Sequence, residues 1–255
     1  MMVAHLSPPM SVENIQLKLK QKMKFMGCRI SGCSLLPEGS MVFSCDNVDT
    51  VGFNNKEGVG LYQIGKDKAG ACTFDTVYIK YNNSVAVSSG WGVNKCITIM
   101  DIKSKNVKTT ICMDTEIYGM AVRGKTIYYC TKGNGLKMQN LSDKSVSDII
   151  SGNKSNVYYV ATSGDKLYYT QWKTDTVTCC NLHGTTQWEF KDERVLRGSV
   201  GISVDNVGNV YVVGCNSNNV VVIPPDGQRH RNLLTSTDGM IYRVYLIMTN
   251  LLIGY

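Results

Sequence analysis

The sequence has few residues suited to metal binding. It contains three histidines, five prolines and ten cysteines in 255 residues, and no two cysteines have the spacing C-x-x-C. Structural zinc sites usually draw four ligands from such close-spaced pairs, so we predict no metal and no cofactor. A reduced cysteine behaves as a small hydrophobic side chain. We therefore predict that the cysteines are buried, reduced thiols.

Long apolar runs are also missing. The longest, residues 244–253, is interrupted by Thr249 and Asn250 and is too short to span a bilayer. Residues 1–13 lack the apolar core of a secretory signal, and we predict that they form a flexible tail. These absences predict a cytoplasmic protein with no membrane partner.

The excess of positive charge is modest and unevenly placed. The formal net charge is +7, but residues 1–29 alone contain five basic residues against one acidic residue. The other 226 residues therefore carry a net charge of only +3. A domain that binds nucleic acid usually has a stronger basic patch than this.

A turn followed by a short apolar strand recurs along the chain. The residues that mark these turns, spaced 44, 41, 40 and 44 apart, are Gly39, Asn83, Gly124, Gly164 and Gly208. A second series of turns keeps the same period, at 55–58, 103–106, 142–145, 182–184 and 225–227. Two hairpin turns in each repeat imply four antiparallel strands. Apolar residues at helical spacing are absent.

Four antiparallel strands repeated every forty-odd residues are typical of the blades of a β-propeller. We therefore predict an all-β, six-bladed-type propeller over residues 14–255, with five complete blades and an incomplete last blade. The predicted blades are 30–65, 74–112, 117–150, 157–190 and 200–234, followed by a partial blade at 235–255. The alternative is a β-sandwich, in which strands are less regularly spaced.

A closing strand is predicted at residues 14–26. Its odd positions from 15 to 25 include five apolar residues, and lysines occupy the even positions 18 to 24. This alternation has a period of two, which indicates a strand with one face in water. Propellers commonly close by lending such a terminal strand to the last blade.

Three segments carry a resemblance to a known family: 30–39, 117–122 and, most specifically, 201–212, with its Asp205-x-x-Gly208-Asn209 turn before an aromatic-valine strand. They resemble the NHL-repeat propellers at the carboxyl end of tripartite-motif (TRIM) proteins, many of which are ubiquitin ligases. The resemblance implies recognition of a protein partner or a ubiquitination substrate. It does not imply ligase activity, because the Cys/His pattern of a RING domain has no counterpart here.

The predicted binding site lies on the loops after each second strand and on those leading to the next blade, which gather on one face of a propeller. Two of the three tryptophans fall in such loops, and loops on a rigid scaffold often carry function. Tryptophan and arginine are frequent in binding hot spots. The predicted partner-binding residues are Arg29, Trp91, Lys95, Tyr118, Lys132, Lys154, Trp172, Lys173 and Arg197. We predict a non-catalytic interaction platform without a small-molecule substrate.

Two alternatives remain open. The same basic and aromatic residues could contact phosphates and stack on bases, so RNA is the second candidate partner. A calcium-dependent propeller hydrolase is the third possibility, with Asp75, Glu116 and Asn156 facing one axis. A catalytic triad would need His183 or His230, and both lie in predicted turns or outer strands.

Overall fold

The computed structural model describes residues 12–15, 28–57, 59–64, 72–91, 94–151 and 157–238. Within these residues the regular structure is almost entirely β. Twenty strands are accompanied by three short 3-10 turns at Val12–Asn14, Lys80–Asn82 and Ser236–Asp238. No helix in this part of the chain has the length and apolar character needed to cross a membrane.

The strands form five four-stranded antiparallel sheets in sequence order, which we number as blades 1 to 5. Blade 1 is β1 (Ile30–Leu35), β2 (Met41–Cys45), β3 (Thr50–Asn54) and β4 (Gly60–Ile64). Blade 2 is β5 (Thr73–Ile79), β6 (Ser84–Ser89), β7 (Cys96–Asp101) and β8 (Val107–Cys112). Blade 3 is β9 (Ile117–Arg123), β10 (Thr126–Thr131), β11 (Gly135–Asn140) and β12 (Val146–Ile150). Blade 4 is β13 (Val157–Ser163), β14 (Lys166–Gln171), β15 (Thr176–Asn181) and β16 (Thr186–Phe190). Blade 5 is β17 (Ser199–Val204), β18 (Val210–Gly214), β19 (Asn219–Ile223) and β20 (Arg231–Leu234).

The blades are arranged as a propeller, with the first strand of each blade innermost. Successive inner strands, β1, β5, β9, β13 and β17, contact one another around the axis. The arrangement is thus a five-bladed set of four-stranded sheets. The prediction of an all-β propeller is confirmed. The predicted incomplete sixth blade is not part of the described structure.

Backbone geometry at the turns explains the repeat. The five marker residues of the first turn series all have positive φ: Gly39 (86°), Asn83 (51°), Gly124 (59°), Gly164 (58°) and Gly208 (91°). Glycine adopts this left-handed conformation without steric cost, and asparagine tolerates it better than most residues. The period in the sequence therefore reflects the positive-φ residue in the turn that joins the first two strands of every blade.

The second strands of blades 2 and 5 form much of the core. Every residue of β6 and of β18 is buried, because these strands lie between neighbouring sheets. The outermost strand of blade 2, β8, is exposed along nearly its whole length. Burial therefore falls from the axis to the rim of the blade.

Glycines let adjacent inner strands approach closely. A Cβ atom at Gly32 would lie 2.5 Å from the Cα atom of Asp75, and one at Gly119 would lie 2.6 Å from the Cα atom of Tyr159. Each glycine of one blade thus faces a larger residue on the next. The equivalent residue of blade 5, Gly201, has no such neighbour among the described residues, its nearest contact being 3.7 Å away on its own blade.

Residues 12–15 pack on blade 5. The side chains of Val12 and Ile15 are buried against Tyr211 and Val222. The Nη1 atom of Arg231 donates hydrogen bonds to the carbonyl oxygens of residues 12, 13 and 15, at 2.9, 2.6 and 2.8 Å. The flexible tail predicted for 1–13 is therefore wrong at Val12 and Glu13, and residue 14 belongs to a 3-10 turn instead of a strand. Residues 16–26 of the predicted closing strand lie outside the described residues. So do residues 239–255 of the predicted partial blade.

One cysteine pair is oxidised. Cys28 and Cys45 form a disulfide with their Cα atoms 5.6 Å apart, which joins the entry of β1 to the end of β2. The prediction that all cysteines are reduced is wrong for this pair, because β1 and β2 are hydrogen-bonded neighbours and bring the two residues together. The other described cysteines are free, and Cys96, Cys130, Cys179 and Cys180 among them are buried.

Candidate functional site

One face of the propeller carries the loops between the second and third strands and those that lead to the next blade. We call it the loop face. At blade 1, the backbone N–H of Arg29 donates to Asn47 Oδ1 at 2.6 Å, which ties the entry of the blade to its β2–β3 loop. At blade 5, the N–H of Arg197 donates to Ser217 Oγ at 3.0 Å in the same way. The loop face therefore brings together the regions in which the binding residues were predicted.

Six aromatic side chains cluster on this face around the axis: Phe74, Trp91, Tyr118, Tyr158, Tyr159 and Trp172. We call them the axial cluster. The ring of Phe74 lies 5.3, 5.5 and 5.4 Å from the rings of Tyr118, Tyr158 and Tyr159. The two tryptophans sit at opposite ends, with Trp91 6.4 Å from Phe74 and Trp172 6.0 Å from Tyr158. All three predicted aromatic residues thus belong to one group.

The cluster passes from a buried base to an exposed rim. Phe74, Tyr118 and Tyr159 are buried, Tyr158 and Trp172 are half-buried, and 57% of Trp91 is exposed. An exposed aromatic ring held on a packed aromatic base is a typical anchor for a partner, because little conformational freedom is lost on binding. Chemically, the cluster offers an apolar surface with tyrosine hydroxyls and indole N–H groups.

The hydroxyl of Tyr118 is one polar point of the cluster. It donates to Glu116 Oε2 at 3.2 Å, and Lys132 Nζ lies 2.9 Å from the other carboxylate oxygen, Oε1. Burial raises the pKa of Tyr118 to about 12, with a further increase from the negative charge of Glu116. A hydrogen bond from Trp91 has the opposite, smaller effect on this pKa. The phenol is therefore neutral at physiological pH and offers polar contacts without charge.

Several predicted basic residues already have partners. Arg29 Nε lies 2.5 Å from Asp46 Oδ1, and Lys95 Nζ donates to the carbonyl oxygen of Asp114 at 3.1 Å. Lys132 is paired with Glu116, as described above. Lys173 and Arg197 are exposed and make no ion pair within the described part of the chain. Lys154 lies outside the described residues.

The predicted calcium ligands do not form a site in the described residues. Asp75 is buried, and its Oδ2 and Oδ1 atoms accept hydrogen bonds from the backbone N–H groups of Met120 and Thr76 at 2.7 and 2.8 Å. Glu116 is held by Tyr118 and Lys132, and residue 156 is not described. No group of three or more potential metal ligands occurs in the part of the chain that was searched. Asp75 instead connects blades 2 and 3.

The two histidines of the described region are remote from the axial cluster. His183 lies in the turn between β15 and β16, and its ring is exposed. His230 precedes the outermost strand of blade 5 and packs on Phe190 at a ring distance of 5.3 Å. Neither is placed to act on a ligand held at the axis.

Comparison with known proteins shows the fold alone. No family model and no curated protein matches the chain. Among solved structures, the nidogen/laminin complex is similar with a TM-score of 0.71 and 10% identity, over 86% of this chain and 83% of that chain. A catalytically inactive virginiamycin B lyase from Staphylococcus aureus with quinupristin gives 0.64 and 16%, over 83% and 72%. A streptogramin B lyase gives 0.65 and 16%, over 83% and 70%. These neighbours are β-propellers, and they include a lyase and a member of a protein complex.

Sequence reasoning missed half of the axial cluster. Phe74, Tyr158 and Tyr159 lie in inner strands, where they were treated as ordinary strand residues. A signal was available, because Phe74, Tyr118 and Tyr158 are each the second residue of their inner strands β5, β9 and β13. Aligning the inner strands by their first residue would have placed an aromatic ring at the same position in three consecutive blades.

Proposed function

We propose that this propeller is a non-catalytic platform that binds a protein partner on its loop face. The proposal is supported by one observation above all, the convergence of six aromatic residues around the axis. A shallow aromatic surface with a neutral tyrosine hydroxyl suits a protein anchor residue better than a reacting substrate. Trp91, which is largely exposed, is the first contact we expect a partner to make.

A protein partner is favoured over RNA by the charges on this face. Arg29 and Lys132 are paired with carboxylates, and the ammonium group of Lys95 donates to a backbone carbonyl. RNA binding depends on unpaired cations that replace counterions along the phosphate backbone. Of the predicted basic residues that the structure describes, Lys173 and Arg197 remain, and these two would supply a weak electrostatic contribution. Stacking of bases on Trp91 remains the feature that an RNA ligand could use.

The absence of catalysis is part of the proposal. One of the similar structures is a lyase, but a sequence identity of 16% supports a shared fold and not a shared activity. The carboxylates that a calcium-dependent hydrolase would need are engaged in backbone or ion-pair contacts, and both described histidines are peripheral. The axial cluster presents no nucleophile beside a base.

A narrower role follows from the resemblance to tripartite-motif propellers. We propose that the bound partner is a ubiquitination substrate or a regulator, delivered to ligase machinery that this sequence does not contain. The segment 201–212, which carries the resemblance most specifically, spans most of β17 and β18 and the turn between them. In that turn, Asp205 Oδ1 accepts hydrogen bonds from the N–H groups of Val207 and Asn209 at 3.1 and 2.8 Å.

We also propose that the ring is six-bladed and that residues 235–255 build the last blade together with 16–26, the rest of the predicted closing strand. Two observations support this. Within the described part of the chain, Gly201 on the inner strand of blade 5 lacks the close neighbour that Gly32 and Gly119 have. Residues 12–15 pack on blade 5, so the chain enters at the position where a last blade would follow.

The proposed function is tested by affinity capture from a cell lysate with the full chain as bait, with and without nuclease. We expect protein partners that survive nuclease treatment and are lost with the double variant Trp91→Ala/Trp172→Ala. The matched control is Val207→Ala, which removes an equally exposed apolar side chain from a first-hairpin turn, on the face opposite the loop face.

Two results would contradict the proposal. If nuclease removes the captured proteins, the ligand is RNA, since proteins bridged by RNA are released when it is digested. If capture is unchanged in the double tryptophan variant, or is lost equally in Val207→Ala, the axial cluster is not the docking site. Thermal unfolding of each bait shows whether a loss of capture reflects a loss of fold.

A further inference from the structure

A cleft separates blades 2 and 3 on the side of the propeller opposite the loop face. It has a volume of about 320 Å³ and runs along the outer strand β8. The turn before β6 and the β11–β12 turn close its lower end, which places it with the first-hairpin turns and not with the axial cluster. Its apolar wall is formed by Ile99, Ile111 and Leu141.

Two buried amide oxygens in this cleft have no hydrogen-bond partner among the described residues: Asn82 Oδ1 and Gln139 Oε1. Gln139 is only 5% exposed. Its Nε2 atom donates to the carbonyl oxygen of Lys144 at 3.4 Å, which fixes the orientation of the amide. Native proteins rarely leave buried acceptors unpaired, so these two oxygens call for donors that the described residues do not supply, such as a ligand group or an ordered water.

The charges around the cleft restrict what those donors can be. Lys108 is neutralised by Asp101, 2.7 Å away, and its Nζ also donates to the hydroxyl of Ser84 at 2.9 Å. Lys144 is exposed at the rim and makes no ion pair within the described residues. The cleft therefore has an excess positive charge, which disfavours an ammonium or guanidinium ligand. Neutral N–H or O–H donors, with an acidic group near Lys144, suit it better.

The outer edge of β8, beside the cleft, pairs with no other strand among the described residues. β8 is the last strand of its sheet, and its register with β7 is set by the N–H of Met113, which donates to the carbonyl oxygen of Lys95 at 2.8 Å. Hydrogen-bonded pairs alternate along an antiparallel ladder. The N–H and C=O groups of Thr110 and Cys112 therefore point away from β7. No proline interrupts the strand, and Lys108, its one charge, is neutralised.

We propose that this cleft binds an extended peptide segment of a partner protein, which adds to blade 2 as a fifth strand along β8. A neutral donor group of the peptide, such as an amide or hydroxyl side chain, reaches the oxygens of Asn82 and Gln139. Its apolar side chains pack on the wall of the cleft, and an acidic residue pairs with Lys144. Backbone pairing along an exposed edge gives such a complex its affinity, and the cleft gives it specificity. This site does not depend on the one proposed at the axial cluster.

The probe for this site is a phage-display library of linear random dodecapeptides, panned on the immobilised full chain. Enriched peptides are synthesised with a fluorescent label, and their affinities are measured by anisotropy. We expect Thr110→Pro, which removes one outward N–H group, and Gln139→Leu, which removes the buried acceptor, each to weaken binding by about tenfold or more. Bound peptide should also protect the exposed thiol of Cys112 from iodoacetamide, followed by mass spectrometry at that residue.

Matched variants separate this mode from other binding. Thr110→Val keeps the backbone N–H and should bind as the wild type does, and so should Val207→Ala, which alters an exposed turn of blade 5 outside both proposed sites. The proposal is overturned if panning enriches no peptide that discriminates wild type from Gln139→Leu, or if the enriched peptides leave Cys112 reactive. Should Thr110→Pro fail to fold, Gln139→Leu and the protection of Cys112 decide the outcome.

Discussion

The hydroxyl of Tyr159 in blade 4 donates a hydrogen bond of 2.7 Å to the backbone carbonyl oxygen of Ser31 in blade 1, 128 residues earlier in the chain. Both residues are buried on inner strands. Blades 1 and 4 are not consecutive, so this bond crosses the axis. It links the first part of the ring to the fourth blade at the base of the axial cluster.

We predict that Tyr159→Phe destabilises the fold while leaving the aromatic packing intact. The substitution removes only the hydroxyl, and the buried carbonyl of Ser31 loses this partner, which costs about 1–3 kcal/mol. The free energy of unfolding is measured by denaturant titration. Tyr81→Phe, at a residue that is 45% exposed, is the control and should be neutral. Equal stability of Tyr159→Phe and the wild type would contradict the structural role of this bond.

Asp75 should make stability depend on pH. Burial raises its pKa from 3.8 to about 7, although hydrogen bonds from the N–H groups of Met120 and Thr76 act in the opposite direction. In the unfolded chain the carboxyl ionises near its ordinary value. Between about pH 4 and 7 the folded state therefore holds more protons, so the free energy of unfolding falls as the pH rises through this window. Each unit between the two pKa values corresponds to about 1.4 kcal/mol.

The variant Asp75→Asn isolates the titration, because an amide does not ionise. Its single oxygen can replace only one of the two carboxylate acceptors, and the loss of the other hydrogen bond is the same at both pH values. Denaturant titrations of both proteins at pH 4.5 and pH 8 give the comparison. We expect the stability of the wild type relative to the variant to be greater at the lower pH. A difference that is independent of pH, or that grows with pH in favour of the wild type, would show that Asp75 is already ionised in the folded protein.

The repeat could be predicted from the sequence because its cause is local. The residues Gly39, Asn83 and Gly208 mark turns that need positive φ, and this need appears directly as residue type at a fixed period. The Tyr159–Ser31 bond could not be predicted, since it depends on the angle between blades set by close approaches such as that at Gly119. The disulfide was missed for a related reason. Spacing alone does not show that Cys28 and Cys45 become neighbours across the β1–β2 pair.

The disulfide should contribute measurably to stability. Its cysteines are 17 residues apart, and in the chain-entropy model closing a loop of that size stabilises a protein by about 3 kcal/mol. For a chain of this size, the loss of that stabilisation in Cys28→Ser should lower the melting temperature by roughly 6 °C or more. Dithiothreitol should lower the melting temperature of the wild type similarly and have little effect on the variant. An equal response of both proteins would mean that another thiol pair is responsible.

The same cysteine pair tests the cytoplasmic location predicted from the sequence. Disulfides persist in oxidising compartments and are rare where glutathione keeps thiols reduced. Cells are treated with iodoacetamide at the moment of lysis, and the modification of Cys28 and Cys45 is measured by mass spectrometry. Alkylation of both residues would support the cytoplasm. A protected pair would place the protein in an oxidising compartment and contradict the location predicted from the sequence.

Gly201→Ala tests the proposed sixth blade. At Gly119, where the next inner strand is close, an added methyl group would meet the backbone of Tyr159, and overpacking of this kind costs about 1–3 kcal/mol. If a last blade packs on blade 5 in the same manner, Gly201→Ala should cost a similar amount. Thermal and denaturant unfolding of Gly119→Ala and Gly201→Ala are compared. A fully neutral Gly201→Ala beside a destabilised Gly119→Ala would mean that this flank stays open.

The two tryptophans of the axial cluster should separate binding from folding. Trp91 is largely exposed, so Trp91→Ala should leave the melting temperature nearly unchanged, as surface substitutions usually do. Trp172 packs on Tyr158 and is half-buried, so its loss should lower both stability and binding. For the partner recovered by nuclease-controlled capture, each substitution should weaken binding roughly thirtyfold, the equivalent of about 2 kcal/mol.

Salt dependence then distinguishes the kind of partner. A protein anchored by aromatic contacts should lose little affinity between low and physiological salt, and Lys95→Ala, Lys132→Ala and Lys173→Ala should have small effects because two of these lysines already have partners. An RNA ligand would instead lose affinity steeply with salt, and the three lysines would matter as much as the tryptophans. Isothermal titration calorimetry with the purified partner at two salt concentrations measures the salt dependence of the affinity and the effects of these substitutions. If affinity depends strongly on salt and Trp91→Ala binds as tightly as the wild type, the ligand is recognised by the basic residues. The axial cluster is then not the binding site.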